Sequence, residues 1–259
     1  MTEPDVLRVE LTDGYAVVTL DRPQARNALN AELRAALRDA MHALDDDGDV
    51  HAIVLTGTDP AFCAGLDLKE LAASPGQLSG GFDDSADLRR PFPPMSTPVI
   101  GAVNGVAITG GFEVALACDF LVASEHARFA DTHARVGIMP GWGLTVLLPQ
   151  AVGVRRAREL SATGNFLDAR TAYEWGLVNH VVAHEELLPV ARKLAIDIVG
   201  NDPDGVRRIL ATYAEGSLMN GADAHELERR VSSAWLTERS HTDLEARRRA
   251  VTDRGRTQL

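Results

Sequence analysis

The stretch Val99-Ile-Gly-Ala-Val-Asn-Gly-Val-Ala-Ile-Thr-Gly-Gly-Phe-Glu-Val-Ala-Leu-Ala-Cys-Asp-Phe-Leu-Val-Ala123 sets the fold class. Val99–Val103 is a short apolar run closed by the turn pair Asn104-Gly105, which reads as a buried strand. Gly110-Gly111 opens a helix through Ala117, and Phe120–Ala123 is a further buried strand. Strand, helix and strand in such quick succession argue for an α/β core with a largely parallel sheet.

Working outward, the same alternation continues upstream. Ala52-Ile-Val-Leu-Thr-Gly57 is another buried strand, preceded by a helix from the cap Asn30 to about Leu44. Leu33, Leu37, Met41 and Leu44 make that helix's apolar stripe, and the acidic run Asp45–Asp49 ends it. Val6–Leu11 and Tyr15–Leu20, joined by Thr12-Asp13-Gly14, read as a β-hairpin. Residues 74–95, rich in Gly, Pro, Ser and Asp, read as a surface loop. Downstream of Leu187 the strand texture stops, and helical segments are expected over 188–199, 204–218, 222–238 and 241–251. The expected division is an α/β body over 1–187 and a helical region over 188–259.

Composition narrows the function. The 259 residues include 45% apolar and 24% charged side chains, which excludes wholesale disorder. A net charge of −11 argues against binding DNA or RNA. The uncharged stretch Pro91–Phe112 is broken by Pro91, Pro93, Pro94 and Pro98, so it is no membrane span. Cys63 and Cys118 form neither a disulfide framework nor a metal-ligand spacing, and no metal site is expected. Met1-Thr-Glu-Pro-Asp5 carries no apolar leader, so a cytoplasmic protein is expected.

Two segments carry the chemistry. Asp59-Pro-Ala-Phe-Cys-Ala-Gly-Leu-Asp-Leu-Lys-Glu-Leu71 joins a strand to a short helix that is expected to turn Leu68 and Leu71 inward. It is either an ordinary strand-to-helix turn or a place where free backbone N–H groups meet an oxyanion. Gly110-Gly111 is open to the same two readings. Glu113, in an apolar setting, must be hydrogen-bonded or have a raised pKa, and is either an internal strut or an acid/base.

Together these segments resemble the crotonase superfamily, the enoyl-CoA hydratase/isomerase group. The resemblance spans nearly the whole chain. It rests on Leu20-Asp-Arg-Pro-Gln-Ala-Arg-Asn-Ala-Leu-Asn30, Phe62-Cys-Ala-Gly-Leu-Asp-Leu-Lys69, Pro98-Val-Ile-Gly-Ala-Val-Asn-Gly105 and Gly110-Gly-Phe-Glu113. Ala117-Cys-Asp119, Gly137-Ile-Met-Pro-Gly141 and Gly164–Val182 follow in order. It implies a crotonase-like ββα spiral core that binds acyl-CoA, followed by C-terminal helices that pack trimers, often paired as hexamers.

Residue by residue, the resemblance implies an oxyanion hole made by the backbone N–H groups of Leu66 and Gly110. The CoA and substrate would lie along Arg26, Ala64, Asp67, Leu68 and Lys69. Arg26 and Lys69 are equally readable as solvated surface charges. Trp142, larger than the family's usual occupant, either shapes the acyl pocket or is plain core. Gly141 keeps an N–H for a catalytic water. The family's first glutamate is Glu113. Where the second belongs, this chain has His133, able to transfer protons near neutral pH, or else merely to pack or hydrogen-bond. If His133 is catalytic, a limb near pH 6–7 is expected in the rate profile. Asp131 is a fallback acid. Cys63 is no nucleophile, because nothing nearby in sequence lowers its pKa.

The implied reaction is addition of water to a 2-enoyl-CoA thioester through an oxyanion-stabilised enolate, as in fatty-acid or related acyl-CoA metabolism. No separate cofactor is needed, since coenzyme A arrives with the substrate. Isomerase, hydrolase or decarboxylase chemistry on the same scaffold, or a catalytically weak acyl-CoA binder, are the alternatives. Retained Glu113 favours chemistry, and the lost second glutamate favours the binder.

Overall fold

A computed structural model describes residues 6–73, 90–238 and 244–258. The chain forms two compact units, 1–207 and 208–259.

The first unit opens with the expected hairpin. β1 (Leu7–Thr12) and β2 (Tyr15–Leu20) pair antiparallel, Leu7 opposite Leu20 and Thr12 opposite Tyr15. Helix α1 (Ala31–Asp46) is capped by Asn30, whose side chain accepts from the Leu33 N–H, and it buries Leu33, Leu37, Met41 and Leu44. From there the chain winds as a spiral between two sheets. β3 (Ala52–Gly57) joins one sheet, β4 (Ala61–Cys63) the other, and α2 (Leu68–Ala73) follows. The second turn is β5 (Val99–Val103), β6 (Val106–Ile108) and α3 (Gly110–Leu116). The third is β7 (Phe120–Ser124), β8 (Arg128–Ala130) and α4 (His133–Val136). This is the ββα spiral that the resemblance implied.

After α5 (Leu144–Val152) and α6 (Val154–Thr163), β9 (Leu167–Asp168) closes the small sheet in the order β4-β6-β8-β9. Beyond α7 (Ala169–Glu174), β10 (His180–Val182) completes the large sheet in the order β1-β2-β3-β5-β7-β10, parallel from β2 onward.

The large sheet is apolar on both faces, which is why its strands read as continuous apolar runs. Ile53, Leu55, Val99, Val103, Leu121 and Ala123 face the main core with α1. Val17, Ala52, Val54, Ile100, Ala102 and Val122 face the other way, against Leu187, Ala191 and Ala195 of α8 (Leu187–Val199). The expected division at 187/188 therefore differs from the compact units. α8 covers a sheet face, and the division falls at 207/208, inside α9 (Pro203–Gly216).

The second unit continues through α10 (Gly221–Glu238) and α11 (Leu244–Gln258), close to the expected helical segments. Residues 74–89 of the expected loop and 241–243 of the expected last helix lie outside the described residues. Among the described residues no helix is long and apolar enough to cross a membrane.

Candidate active site

The two glycine-bearing segments meet. Gly65 holds φ +89°, a left-handed conformation suited to glycine, and a Cβ there would lie 2.7 Å from the Ile108 carbonyl oxygen and 3.2 Å from the Gly110 nitrogen. Across the same seam, a Cβ on Gly111 would run into the Cys63 carbonyl. The Leu66 nitrogen lies 3.5 Å from where a Cβ on Gly110 would stand. Among the described residues, neither the Leu66 N–H nor the Gly110 N–H has a backbone or side-chain acceptor. Two unused donors thus lie close together, Gly110 at the start of α3 and Leu66 just ahead of α2.

The approach to α3 is strained. Thr109 adopts φ 54°, ψ −116°, unusual for a residue with a side chain. It is held by its N–H donating to the Ala130 carbonyl at 2.9 Å and by a 2.5 Å hydroxyl contact with Thr132. These bonds tie the donor turn to the turn between β8 and α4.

That second turn carries His133. Glu113, one helical turn after Gly110, is 3% exposed. Its Oε1 accepts from the Trp142 N–H at 2.7 Å and more distantly from the Leu144 N–H at 3.5 Å, which resolves how a carboxylate survives in that apolar setting. Its Oε2 stands 3.4 Å from His133 Nε2. On the ring's other side, Nδ1 donates to Asp131 Oδ1 at 2.7 Å, and the His133 backbone N–H donates to the same oxygen at 3.2 Å. Burial by itself pushes the imidazole down, but the hydrogen bonds and charges of Asp131 and Glu113 outweigh it and raise the pKa to about 9. Asp131 is likewise pushed up by burial, yet hydrogen bonds from His133 and Ser161 hold it below the ordinary carboxylate value.

These shifts bear on two expectations. The raised His133 pKa, about 9, lies above the pH 6–7 range expected of a histidine limb. Asp131 is no reserve acid, because its carboxylate is committed to the imidazole.

The other expected residues are placed as follows. Trp142 is buried in the main core, and its Cζ3 lies 3.3 Å from the Cβ position of Gly110. It is both core and neighbour of the donor pair. Gly141 is exposed; the N–H groups that serve Glu113 belong to Trp142 and Leu144. The Ala64 N–H donates to the Arg26 carbonyl at 3.0 Å, and the Arg26 and Lys69 side chains are exposed. Asp67 is taken up structurally. It pairs with Arg22 at 3.1 Å and accepts from the Lys69 and Glu70 N–H groups at the start of α2. Burial works against its charge, and Arg22 with those N–H groups keeps its pKa low. Leu68, expected inward, is exposed, because α2 is a helix of only six residues that Asp67 fastens at its start. Cys63 is buried and its thiol is pushed up to about 12, which agrees with its exclusion as a nucleophile. Among the described residues no cluster of His, Cys, Asp and Glu is placed to hold a metal.

Sequence reasoning missed Asn27. Fully buried, with φ 55°, it donates to the Thr58 and Ala61 carbonyls at 2.8 and 2.7 Å and accepts from the Arg22 N–H at 2.9 Å. It binds the turn after β2 to the strand that leads into the first donor. Asn27 lies in the Leu20–Asn30 segment, where an uncharged amide beside Arg26 carries no pattern that marks it as buried.

Comparison with known proteins agrees with this fold. The sequence profile described as enoyl-CoA hydratase/isomerase matches residues 10–249. A probable peroxisomal enoyl-CoA hydratase 1 of Arabidopsis thaliana is 40% identical over 225 residues, 86% of this chain and 84% of the relative. A crotonyl-CoA hydratase of Syntrophomonas wolfei is 38% identical over 212 residues, 80% of this chain and 81% of the relative. Among solved structures, an enoyl-CoA hydratase from Mycobacterium tuberculosis H37Rv is 47% identical with a TM-score of 0.75, covering 88% of this chain and 98% of that one. One from Bacillus anthracis, at 30% identity, reaches a TM-score of 0.88 over 96% of both chains. With a spiral core, a paired-donor turn and a buried glutamate one helical turn beyond it, this chain belongs to the enoyl-CoA hydratase/isomerase family.

Proposed function

We propose that this enzyme adds water across the C2–C3 double bond of 2-enoyl-CoA thioesters. The observation that carries the reading is the pair of unused donors, Leu66 and Gly110, set one helical turn from buried Glu113. The hydratase names of relatives near 40% identity support it.

The thioester oxygen accepts from both N–H groups. As the water oxygen bonds to C3, the π electrons move toward the thioester and the donors hold the resulting enolate charge. Glu113 takes the proton that water gives up, and His133 supplies a proton to C2. The reaction neither gains nor loses electrons, and coenzyme A enters only as part of the substrate. The CoA lies along residues 64–69, where exposed Arg26 and Lys69 offset the chain's negative field for its phosphates.

A panel of C4 to C16 2-enoyl-CoA esters, followed by loss of the conjugated enoyl absorbance, tests the reading. Turnover of at least one ester is expected. A flat trace accompanied by tight CoA-ester binding overturns hydration in favour of a binding protein.

The helical region is proposed to assemble trimers or hexamers. Tyr213, Leu218 and Leu236 are large apolar residues left exposed there, and a 28 kDa species in light scattering would refute assembly. A cytoplasmic setting is supported by two buried free thiols, Cys63 and Cys118, and is tested by cell fractionation.

A further inference from the structure

His133 is gripped at three points. Asp131 Oδ1 receives both its backbone N–H and its Nδ1–H, and Nε2 faces Glu113 Oε2 at 3.4 Å. The residue is 4% exposed, so these contacts act in a low-dielectric setting that strengthens them. The charged groups acting on it are Glu113 of α3 and Asp131 of the turn before α4. Ser161 of α6 bonds Asp131, and the N–H groups of Trp142 and Leu144 hold the far oxygen of Glu113.

We propose that Asp131 is a positioning residue that keeps His133 protonated with its Nε2–H toward Glu113, making His133 the site's proton donor and Glu113 its base. The proposal deepens the hydration reading and rests on it. In the forward step the water oxygen bonds to C3 and one water proton goes to Glu113. The Nε2–H bond of the imidazolium breaks, its electron pair stays on nitrogen, and the proton bonds to C2. This leaves a protonated Glu113 beside a neutral His133. Transfer of that proton across the 3.4 Å contact restores the starting pair without an outside acid or base. The raised imidazole pKa, about 9, agrees with the assignment.

The test pairs a pH–rate profile with a measurement that needs no substrate. For kcat, the wild type is expected to lose activity with a basic limb near pH 9. Asp131→Asn is expected to move that limb down by at least one pH unit and to lower kcat by about 10-fold or more, with KM little changed. Asp131→Glu should restore part of both. A limb that stays put while kcat falls overturns the proposal, since that is a structural defect alone. Should Asp131→Asn fail to fold, histidine-resonance titration of the intact wild-type protein by NMR decides. A His133 imidazolium that persists to about pH 9 supports the clamp, and titration near 6.5 overturns it. If no enoyl-CoA is hydrated, the reaction reading fails, while the titration still judges the clamp.

Discussion

The nitrogen of Leu66 lies 3.5 Å from the point that a Cβ on Gly110 would occupy, so the two donors share one small volume. Gly110→Ala fills that volume with a methyl group, also 3.3 Å from Trp142 Cζ3. Folding should survive, because helix α3 accepts alanine. We expect kcat/KM to fall about 10²-fold, comparable to losing an oxyanion donor, in steady-state assays with the best ester of the panel.

Glu113→Gln retains an oxygen for the Trp142 N–H but removes the base. The expected result is a fall in kcat of at least about 10²-fold. Calorimetric binding of a saturated acyl-CoA should be nearly unchanged, since the donors and the CoA edge are untouched.

His133→Glu restores the family's two glutamates but places a third carboxylate between Asp131 and Glu113 and deletes the cation they share. Loss of one partner from a buried charge cluster costs about 3–5 kcal/mol, so urea unfolding should show a clear destabilisation. Adding Asp131→Asn relieves the crowding, and the double variant should regain both stability and hydration relative to His133→Glu.

Stability should depend on pH through the same cluster. The folded His133 pKa, about 9, exceeds the ordinary 6.5, so its contribution is complete below about pH 6.5 and is lost as pH rises through 9. Asp131 is shifted the other way, so its contribution is present above about pH 4 and is lost on further acidification. Melting temperatures measured from pH 3 to 10 should show a plateau between these limits. Asp131→Asn should flatten the alkaline fall.

Asn27→Ala removes the side-chain partner of the part-buried Thr58 carbonyl and of the Arg22 N–H, leaves the buried Ala61 carbonyl with Asn104 alone at 3.3 Å, and puts alanine at φ 55°. A loss of roughly 3 kcal/mol is expected in urea unfolding. Arg26→Ala, at an exposed position one residue away, should change stability by less than about 0.5 kcal/mol.

The large sheet and α1 were legible because burial on both faces turns strands into apolar runs, and because Asn30 is a cap by chemistry. The small sheet was not legible from pattern alone. β4, β6 and β8 are three residues each, too short to show a period, and only the resemblance supplied the spiral. Leu68 misled because apolar spacing says nothing of a helix one and a half turns long that is fixed by Asp67. Glu113 and His133 could be named in advance. Their partnership with Asp131 could not, since residues two apart share a face in a strand, whereas here a turn folds the Asp131 carboxylate back onto its neighbour's backbone and ring.

The seam where Gly111 lies on the Cys63 carbonyl carries a consequence for inheritance. The groups that would polarise the substrate are main chain, fixed by backbone packed on backbone, so no exchange of side chain at Leu66 short of proline removes them. Descendants of this scaffold are free to trade residues such as His133 or Trp142 for new reactions while the electrophilic corner passes on unaltered. Only the three glycines of the seam, Gly65, Gly110 and Gly111, are denied that freedom.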